Sequence, residues 1–349
     1  MTLGNRGRAL GALLAFALNG CGAVRSDELP ASAGAAAGSD VAGRSSGGSS
    51  AGSDFSNAGS PAGAGGTYAM AAAGTVGRSG GSGAGAPAGG RSGSPLDEDC
   101  LGAINVEGDL EMHADAPSSG LVANVWGNLT IDATTADLTS LRCLDTVGGN
   151  LSIQLETGEL DAFRRLRSVA GDLSIQGNRT IKNLAGLSRL GWIGGSLTIR
   201  GTSALVDLSG MDLLLYVGKL LSVQENSALV SLGGLEEIAS LTEVWIVNNE
   251  GLLNLDGIAH VQRRGAGIQI VNNPALISLG GLRGLDEPHY LTIKNNPSLR
   301  DFNGLESWTS VQGQVVISAN TNLSNCVIEA FLARCNASVV LVEDNGPCN

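Results

Sequence analysis

One pattern of apolar and polar positions recurs from Gly108 to the end of the sequence: Gly-x-Leu-x-Ile-x-x-Asn-x-x-Leu-x-x-Leu-x-Gly-Leu-x-x-Leu. The Leu-x-Ile alternation predicts a short β-strand whose two aliphatic side chains share the buried face, because side chains alternate along a strand. Successive copies lie 19 to 25 residues apart, which predicts a stack of coils with parallel strands. The aliphatic residues that begin the predicted strands are Leu110, Leu129, Leu151, Leu173, Leu197, Leu221, Val244, Ile268, Leu291, Val315 and Val340.

A polar residue recurs three positions after the second aliphatic residue of most copies. A side-chain amide there can hydrogen-bond the backbone of the coils on either side, which satisfies groups that a buried corner would leave unpaired. We therefore expect a column of polar side chains along one corner of the stack. Its predicted members are Asn178, Thr202, Asn226, Asn249, Asn273, Asn296, Asn320 and Asn345.

Apolar residues follow at every third position, as in Ile181, Leu184 and Leu187, and these predict a second buried wall. A glycine precedes the third of these positions in six copies. We expect the chain there to need either a positive φ or a close approach to the neighbouring coil. The glycines are Gly186, Gly210, Gly234, Gly257, Gly281 and Gly304.

The N-terminal residues have the pattern of an export signal. Two arginines without an acid precede an apolar run over residues 9–18, which is far shorter than the roughly 20 residues of a membrane-spanning helix. The run ends in Leu18-Asn19-Gly20-Cys21, which resembles the bacterial lipobox, although Asn19 departs from the small or aliphatic residue usual at its position. The resemblance implies a signal peptide over residues 1–20 and a lipid on Cys21 that anchors the protein to a membrane. The absence of aspartate after Cys21 favours the outer membrane of a bacterial envelope.

Residues 21–97 are predicted to form a lipid-anchored, disordered linker. From Ala31 to Asp97 roughly three-quarters of the residues are Gly, Ala or Ser, so little apolar surface can offset the entropy of ordering the chain. A Gly-rich coil of this length spans on the order of 45 Å. The net charge of −12 and the lack of a basic run argue against a nucleic-acid partner.

The repeat of residues 98–349 resembles the receptor L-domain branch of the leucine-rich-repeat superfamily. The resemblance implies a mainly β, right-handed parallel β-solenoid of about eleven coils, poor in helix, of the kind found in growth-factor receptor ectodomains and some bacterial surface proteins. At a strand spacing of about 4.8 Å the stack would be on the order of 50 Å long. The repeat specifies a fold and leaves the function open.

Five cysteines besides Cys21 lie near the two ends of the repeat array, and export permits disulfides. We favour a Cys100–Cys143 pair because both residues belong to the first coils. At the other end, residues 324–333 could form a capping helix whose apolar side includes Val327, Ile328, Phe331, Leu332 and, just beyond it, Cys335. Similar proteins imply a Cys326–Cys348 pair, with Cys335 left as a buried thiol. Five cysteines with one left out allow 15 assignments, so the pairing stays open at this stage.

The outer face of the predicted parallel sheet carries hydroxyls and amides with few charges. The outward residue between the two buried aliphatics of each strand is, in order, Thr130, Ser152, Ser174, Thr198, Ser222, Trp245, Gln269, Thr292 and Val316.

A second outward row of the same face lies two residues further along each strand. It consists of Asp132, Gln154, Gln176, Arg200, Gln224, Val247, Val271, Lys294 and Ser318.

The centre of this face is the candidate binding surface, comprising Trp245, Val247, Gln269, Val271 and Thr292. An exposed tryptophan among hydrogen-bonding groups is a common anchor in recognition. The opposing interpretation is that β-branched residues suit strands and that the indole packs against its neighbours.

The leading hypothesis is a non-enzymatic recognition or adhesion module that binds a protein or a glycan. The alternatives are a structural envelope spacer without a discrete ligand and a carbohydrate-active solenoid enzyme. The three histidines, His113, His260 and His289, fall in different coils without an acid or nucleophile in matching register. We therefore predict no catalytic residues, no metal site and no cofactor.

Overall fold

The computed structural model describes residues 98–113, 120–133, 137–156, 158–335, 337 and 339–348. The predicted signal peptide, Cys21 and the predicted linker lie outside these residues.

The described residues form a mainly β structure with little helix. One α-helix, α1, spans Asn325–Leu332, and short 3-10 helices span Glu98–Cys100, Thr139–Leu141, Asp161–Phe163, Ala185–Leu187, Asp256–Ile258 and Gly280–Leu282. The strands are β1 Ile104–Val106, β2 Leu110–His113, β3 Val122–Val125, β4 Leu129–Ala133, β5 Thr146–Val147, β6 Leu151–Leu155, β7 Ser168–Val169, β8 Leu173–Gln176, β9 Trp192–Ile193, β10 Leu197–Arg200, β11 Tyr216–Val217, β12 Leu220–Gln224, β13 Glu243–Val247, β14 Arg263–Arg264, β15 Gly267–Val271, β16 Leu285–Asp286, β17 Tyr290–Lys294, β18 Gln314–Ser318 and β19 Val339–Glu343.

Eleven strands form one long parallel sheet, in the order β2-β4-β6-β8-β10-β12-β13-β15-β17-β18-β19. Every predicted strand-starting aliphatic residue pairs with the corresponding residue of the next coil, from Leu110 opposite Leu129 to Val315 opposite Val340. The chain thus makes ten turns between the first strand of this sheet and the last. The predicted β-solenoid and the register of its coils are confirmed.

A second parallel sheet, β1-β3-β5-β7-β9-β11, forms another wall, and β14 pairs with β16 further along the stack. Leucine, isoleucine and valine side chains from all walls meet in one continuous core, as the period-three pattern predicted. Ile181, Leu184, Leu187 and Leu190 of a single coil are all buried. Because each coil presents its apolar side chains to the same interior, the stack has one core along its whole length.

From Thr202 to Asn345 the predicted polar column is a continuous ladder, which we call the asparagine ladder. The predicted first member, Asn178, instead accepts on Oδ1 from the backbone N–H groups of Thr180 and Ile181 in its own coil (both 2.8 Å). Each amide in the central part of the ladder accepts a hydrogen bond on Oδ1 from the backbone N–H of the preceding coil's ladder residue, as Asn273 does from Asn249 (3.1 Å). Its Nδ2 reaches back to a strand carbonyl, as Asn273 does to Ile246 (2.9 Å). The same pattern runs from Thr202 to Asn345. These bonds satisfy a corner from which water is excluded.

The repeated glycines sit where neighbouring coils approach most closely. A Cβ at any of the six positions would crowd backbone atoms of the preceding coil, such as the carbonyl oxygen of Leu160 beside Gly186. Gly210, Gly234 and Gly304 also have φ near +100°, a conformation that side-chain-bearing residues rarely adopt. Both halves of the prediction therefore apply, close approach at all six and positive φ at three.

Disulfides close both ends of the solenoid. Cys100 bonds Cys143 with the Cα atoms 5.7 Å apart, and Cys326 bonds Cys348 with the Cα atoms 5.2 Å apart, so both predicted pairs are confirmed. Cys335 belongs to neither disulfide and is buried, as predicted.

Helix α1 caps the C-terminal end. Ser324 is its N-cap and accepts a hydrogen bond from the N–H of Cys326 (3.2 Å). Phe331 packs against Phe302 and Trp308, with ring centroids 4.8 and 6.3 Å away. The helix covers the last coil with the predicted apolar side, although Val327 is only partly buried.

Candidate recognition surface

The long sheet brings the five predicted surface residues together on three adjacent strands. Trp245, Gln269 and Thr292 lie side by side on β13, β15 and β17, and Val247 and Val271 pair in the row below them. All five side chains are half-buried. We call these five residues the Trp245 surface.

The indole of Trp245 is held by a tyrosine two strands away. Its Nε1–H donates to the hydroxyl oxygen of Tyr290 (3.0 Å), and that hydroxyl donates to Oε2 of Glu243 (3.2 Å). Trp245 therefore contacts its neighbours, as the packing interpretation holds, and its half-buried side chain lies on the outer face of the sheet. A fixed aromatic side chain loses little conformational entropy on binding.

A missing side chain on the middle strand makes this arrangement possible. Gly267 pairs with Glu243 on one side and Tyr290 on the other. A Cβ at Gly267 would lie 2.6 to 2.8 Å from Cε1, Cζ and the hydroxyl oxygen of Tyr290. The tyrosine thus lies across Gly267, which lets its hydroxyl reach β13.

The environment of Tyr290 raises the pKa of its hydroxyl. Desolvation by burial raises the pKa of Tyr290, the hydrogen bond from Trp245 opposes this, and the negative charge and hydrogen bond of Glu243 raise it further. The ordinary pKa of a tyrosine, 10.0, already leaves the phenol protonated at neutral pH, and the rise extends this range further into alkaline pH.

Sequence reasoning did not select Tyr290, Glu243 or Gly267. The available signal was the alignment of glycine with a glutamate and a tyrosine at the first position of three consecutive strands. That alignment points to the Trp245–Tyr290–Glu243 cluster only once the structure shows that the ring of Tyr290 lies across Gly267 on the neighbouring strand.

Other parts of the outer face agree with the predicted rows, with one correction. Gln176 and Gln224 each donate from Nε2 to the hydroxyl of the serine two residues earlier, Ser174 and Ser222 (both 2.6 Å). Ser222 and Ser318 were expected to point to solvent, yet both are buried. A short side chain between larger neighbours is covered even where its Cβ points outward.

Two further exposed apolar surfaces were not anticipated. One is a row of aliphatic side chains, each 39–54% exposed, on four consecutive coils: Val206, Val230, Leu253 and Ile277.

The other surface is a stacked aromatic pair on the second sheet. The rings of Trp192 and Tyr216 have centroids 6.0 Å apart and lie within 9° of parallel. Both side chains are exposed. This pair occupies a different wall from the Trp245 surface, so it provides a comparison tryptophan for experiments.

Searches of known proteins supply no family. Neither a protein-family model nor a curated protein matches the chain.

Within the described ranges, three or more His, Cys, Asp or Glu side chains are nowhere grouped so that they could hold a metal ion. Among the same residues, no helix has the length and hydropathy needed to cross a membrane.

Proposed function

We propose that this protein is a non-enzymatic recognition module of the bacterial envelope and that its solenoid binds a protein or glycan through the Trp245 surface. The observation that carries the proposal is the tethered indole of Trp245 on the first of three aligned strands, beside Gln269 and Thr292 on the next two. Tyr290 and Glu243 fix the orientation of Trp245, while Gln269 and Thr292 offer hydrogen-bonding groups on the adjacent strands. Preorganised aromatic anchors of this kind contribute disproportionately to binding energy.

The proposed attachment is a lipid on Cys21. Its support is the apolar run followed by Leu18-Asn19-Gly20-Cys21 and then a long stretch of Gly, Ala and Ser. Metabolic labelling with a fatty acid tests this proposal. Label that is incorporated by the parent chain and absent from Cys21→Ser is the expected result, and unlabelled parent protein would contradict it.

The proposed family is the receptor L-domain type of leucine-rich repeat. It is supported by the 19- to 25-residue period, the asparagine ladder and the disulfides at both ends of the stack. An experimental structure of a receptor L-domain superposed coil by coil on this chain would test it, and a different number of walls per coil would count against it.

The binding proposal is tested with the full chain and two matched tryptophan variants. Immobilised envelope proteins and a glycan array are probed with the parent, Trp245→Ala and Trp192→Ala. Trp245→Ala should lose at least tenfold in affinity because it removes the central anchor, corresponding to about 1.4 kcal/mol or more. Trp192→Ala also removes a surface indole, but from the other wall, and should bind as the parent does.

The outcomes separate the proposal from its alternative. Equal loss in both variants, or no loss in Trp245→Ala, would contradict a site at Trp245. If the parent binds none of the probes, the structural spacer becomes the better explanation.

A further inference from the structure

A column of left-handed residues runs along the corner between the long sheet and the asparagine ladder. In each of eight coils the residue just before the ladder position has a φ between 54° and 70°. Six of these residues carry side chains, and two consecutive ones are glycines. In chain order the column is Gly177, Gly201, Glu225, Asn248, Asn272, Asn295, Ala319 and Asp344.

Packing does not exclude side chains at the two glycines. A Cβ at Gly177 would meet nothing within 4 Å, and one at Gly201 would come no closer than 3.7 Å to the backbone of Gly177. Asparagine takes the same backbone conformation at Asn248 and Asn272. The fold therefore accommodates a side chain at this corner, and the paired glycines leave a gap that the other coils fill.

The gap is part of an open groove of about 460 Å³ on the N-terminal half of the solenoid. This volume lies in the range of about 300–1,000 Å³ typical of small-ligand sites. The groove runs from Asp132 on β4 past β6, β8 and β10 to Glu225, which directly follows β12, the neighbour of β13. None of its lining residues belongs to the Trp245 surface. The groove is therefore distinct from the Trp245 surface.

Amide side chains line one part of the groove. Gln154 and Gln176 pair in register on β6 and β8, and each amide offers both a donor and an acceptor. Gln176 is held in place by its bond to Ser174 (2.6 Å).

An arginine is fixed beside the glycine gap. Nε and Nη2 of Arg200 donate to the two carboxylate oxygens of Glu225, at 3.0 and 2.8 Å. This bidentate pair holds the planar guanidinium in one orientation, and the hydrogen bond and charge of Glu225 raise the pKa of Arg200. Its remaining N–H groups are available to an acceptor on a ligand.

The charges around the groove nearly cancel. Three carboxylates face two guanidinium groups, so neither an anion nor a cation is favoured overall. Hydroxyl groups, which both donate and accept, match carboxylates, amides and guanidinium groups alike. The charged lining residues are Asp132, Glu156, Glu225, Arg179 and Arg200.

We propose that this groove binds a neutral oligosaccharide, whose hydroxyls bond the amides, carboxylates and Arg200 while the sugar ring rests over Gly177 and Gly201. The site gives the molecule a second binding surface on the same outer side of the long sheet. The proposed groove site does not include Trp245, so an experiment can disprove sugar binding in the groove without disproving binding at the Trp245 surface, and the reverse.

The test uses the full chain and an array of neutral gluco-, manno- and galacto-oligosaccharides of two to four sugars. Sulfated and sialylated oligosaccharides and a peptide array serve as competing probes. Affinities for the neutral oligosaccharides that bind are then measured by titration calorimetry.

Three variants connect binding to the groove. Gly177→Asn places in the gap the residue that the same corner carries at Asn248, and should abolish detectable binding while the melting temperature stays close to that of the parent. Gln176→Ala removes one ligand hydrogen-bonding group and should weaken binding about tenfold. Gln224→Ala removes an equivalent glutamine with an equivalent serine contact outside the groove, and should bind as the parent does.

Each other outcome decides against the proposal. It is overturned if the parent binds only charged oligosaccharides or peptides, or binds no neutral oligosaccharide. It is also overturned if Gly177→Asn folds and binds normally, or if Gln224→Ala and Gln176→Ala lose affinity equally. Loss of binding in Trp245→Ala alone would instead assign the sugar to the Trp245 surface.

Discussion

The asparagine ladder makes a quantitative prediction about what holds adjacent coils together. Asn273 is fully buried, and its amide donates to the carbonyl oxygens of Ile246 (2.9 Å) and Val271 (3.1 Å). Its Oδ1 accepts from the backbone N–H of Asn249 (3.1 Å). Alanine at position 273 removes these partners from the buried N–H of Asn249 and the buried carbonyl of Ile246, whereas the Val271 carbonyl still accepts from the N–H of Asn248 (2.9 Å).

The expected cost follows from those groups. A buried polar group left unsatisfied costs about 1–3 kcal/mol, so Asn273→Ala should lower the free energy of unfolding by about 3–5 kcal/mol. With a urea dependence of about 3 kcal/mol per molar, the unfolding midpoint should fall by about 1 M or more. Urea unfolding followed by far-ultraviolet circular dichroism measures this shift.

The neighbouring asparagine is the matched control. Asn272 is half-buried, and its side chain bonds the side chains of Asn248 and Asn295 (both 2.8 Å). Ala319 already adopts the same backbone conformation in another coil, so Asn272→Ala should cost about 1 kcal/mol or less. Equal midpoint shifts for the two variants would refute the idea that buried amides at this corner hold the coils together.

Two other predictions concern glycine packing and the tyrosine cluster. Gly281→Ala should lower the free energy of unfolding by more than about 3 kcal/mol, because its Cβ would collide with the carbonyl oxygen of Leu255. Gly280→Ala is the control and should be nearly neutral, because its Cβ comes no closer than 3.3 Å to flexible side chains. Thermal or urea unfolding measures both. Tyr290 has a folded-state pKa above its ordinary value of 10.0, so its contribution to stability is complete below pH 10 and is lost as pH rises through the folded pKa. Tyrosinate absorbance should therefore show a late-titrating phenol. This phenol should be absent in Tyr290→Phe and should titrate at lower pH in Glu243→Gln. No difference between these variants and the parent would contradict the assigned environment.

The repeat made the fold predictable because the information was local and redundant. Eleven copies of an aliphatic-x-aliphatic strand, 19 to 25 residues apart, allow one parallel register, since a one-residue slip would turn Leu173 or Leu197 out of the core. The ladder and the glycine positions were predictable for the same reason. A buried corner needs polar partners, and a close backbone approach needs a residue without a side chain.

The candidate sites depended on contacts that no single repeat contains. Trp245 and Tyr290 are 45 residues apart and meet only because the intervening Gly267 lets the tyrosine ring cross a strand. The groove forms because glycines fall at the same corner of two consecutive coils.

The sequence by itself determined the period, the buried faces, the ladder and the class of fold, because hydrophobic periodicity and backbone hydrogen bonding act at short range along the chain. Only the tertiary structure decided which variable residues become neighbours on the surface. Stacking places side chains from successive coils about 4.8 Å apart, so the exposure and hydrogen bonds of a surface residue depend on residues about twenty or more positions away in the sequence.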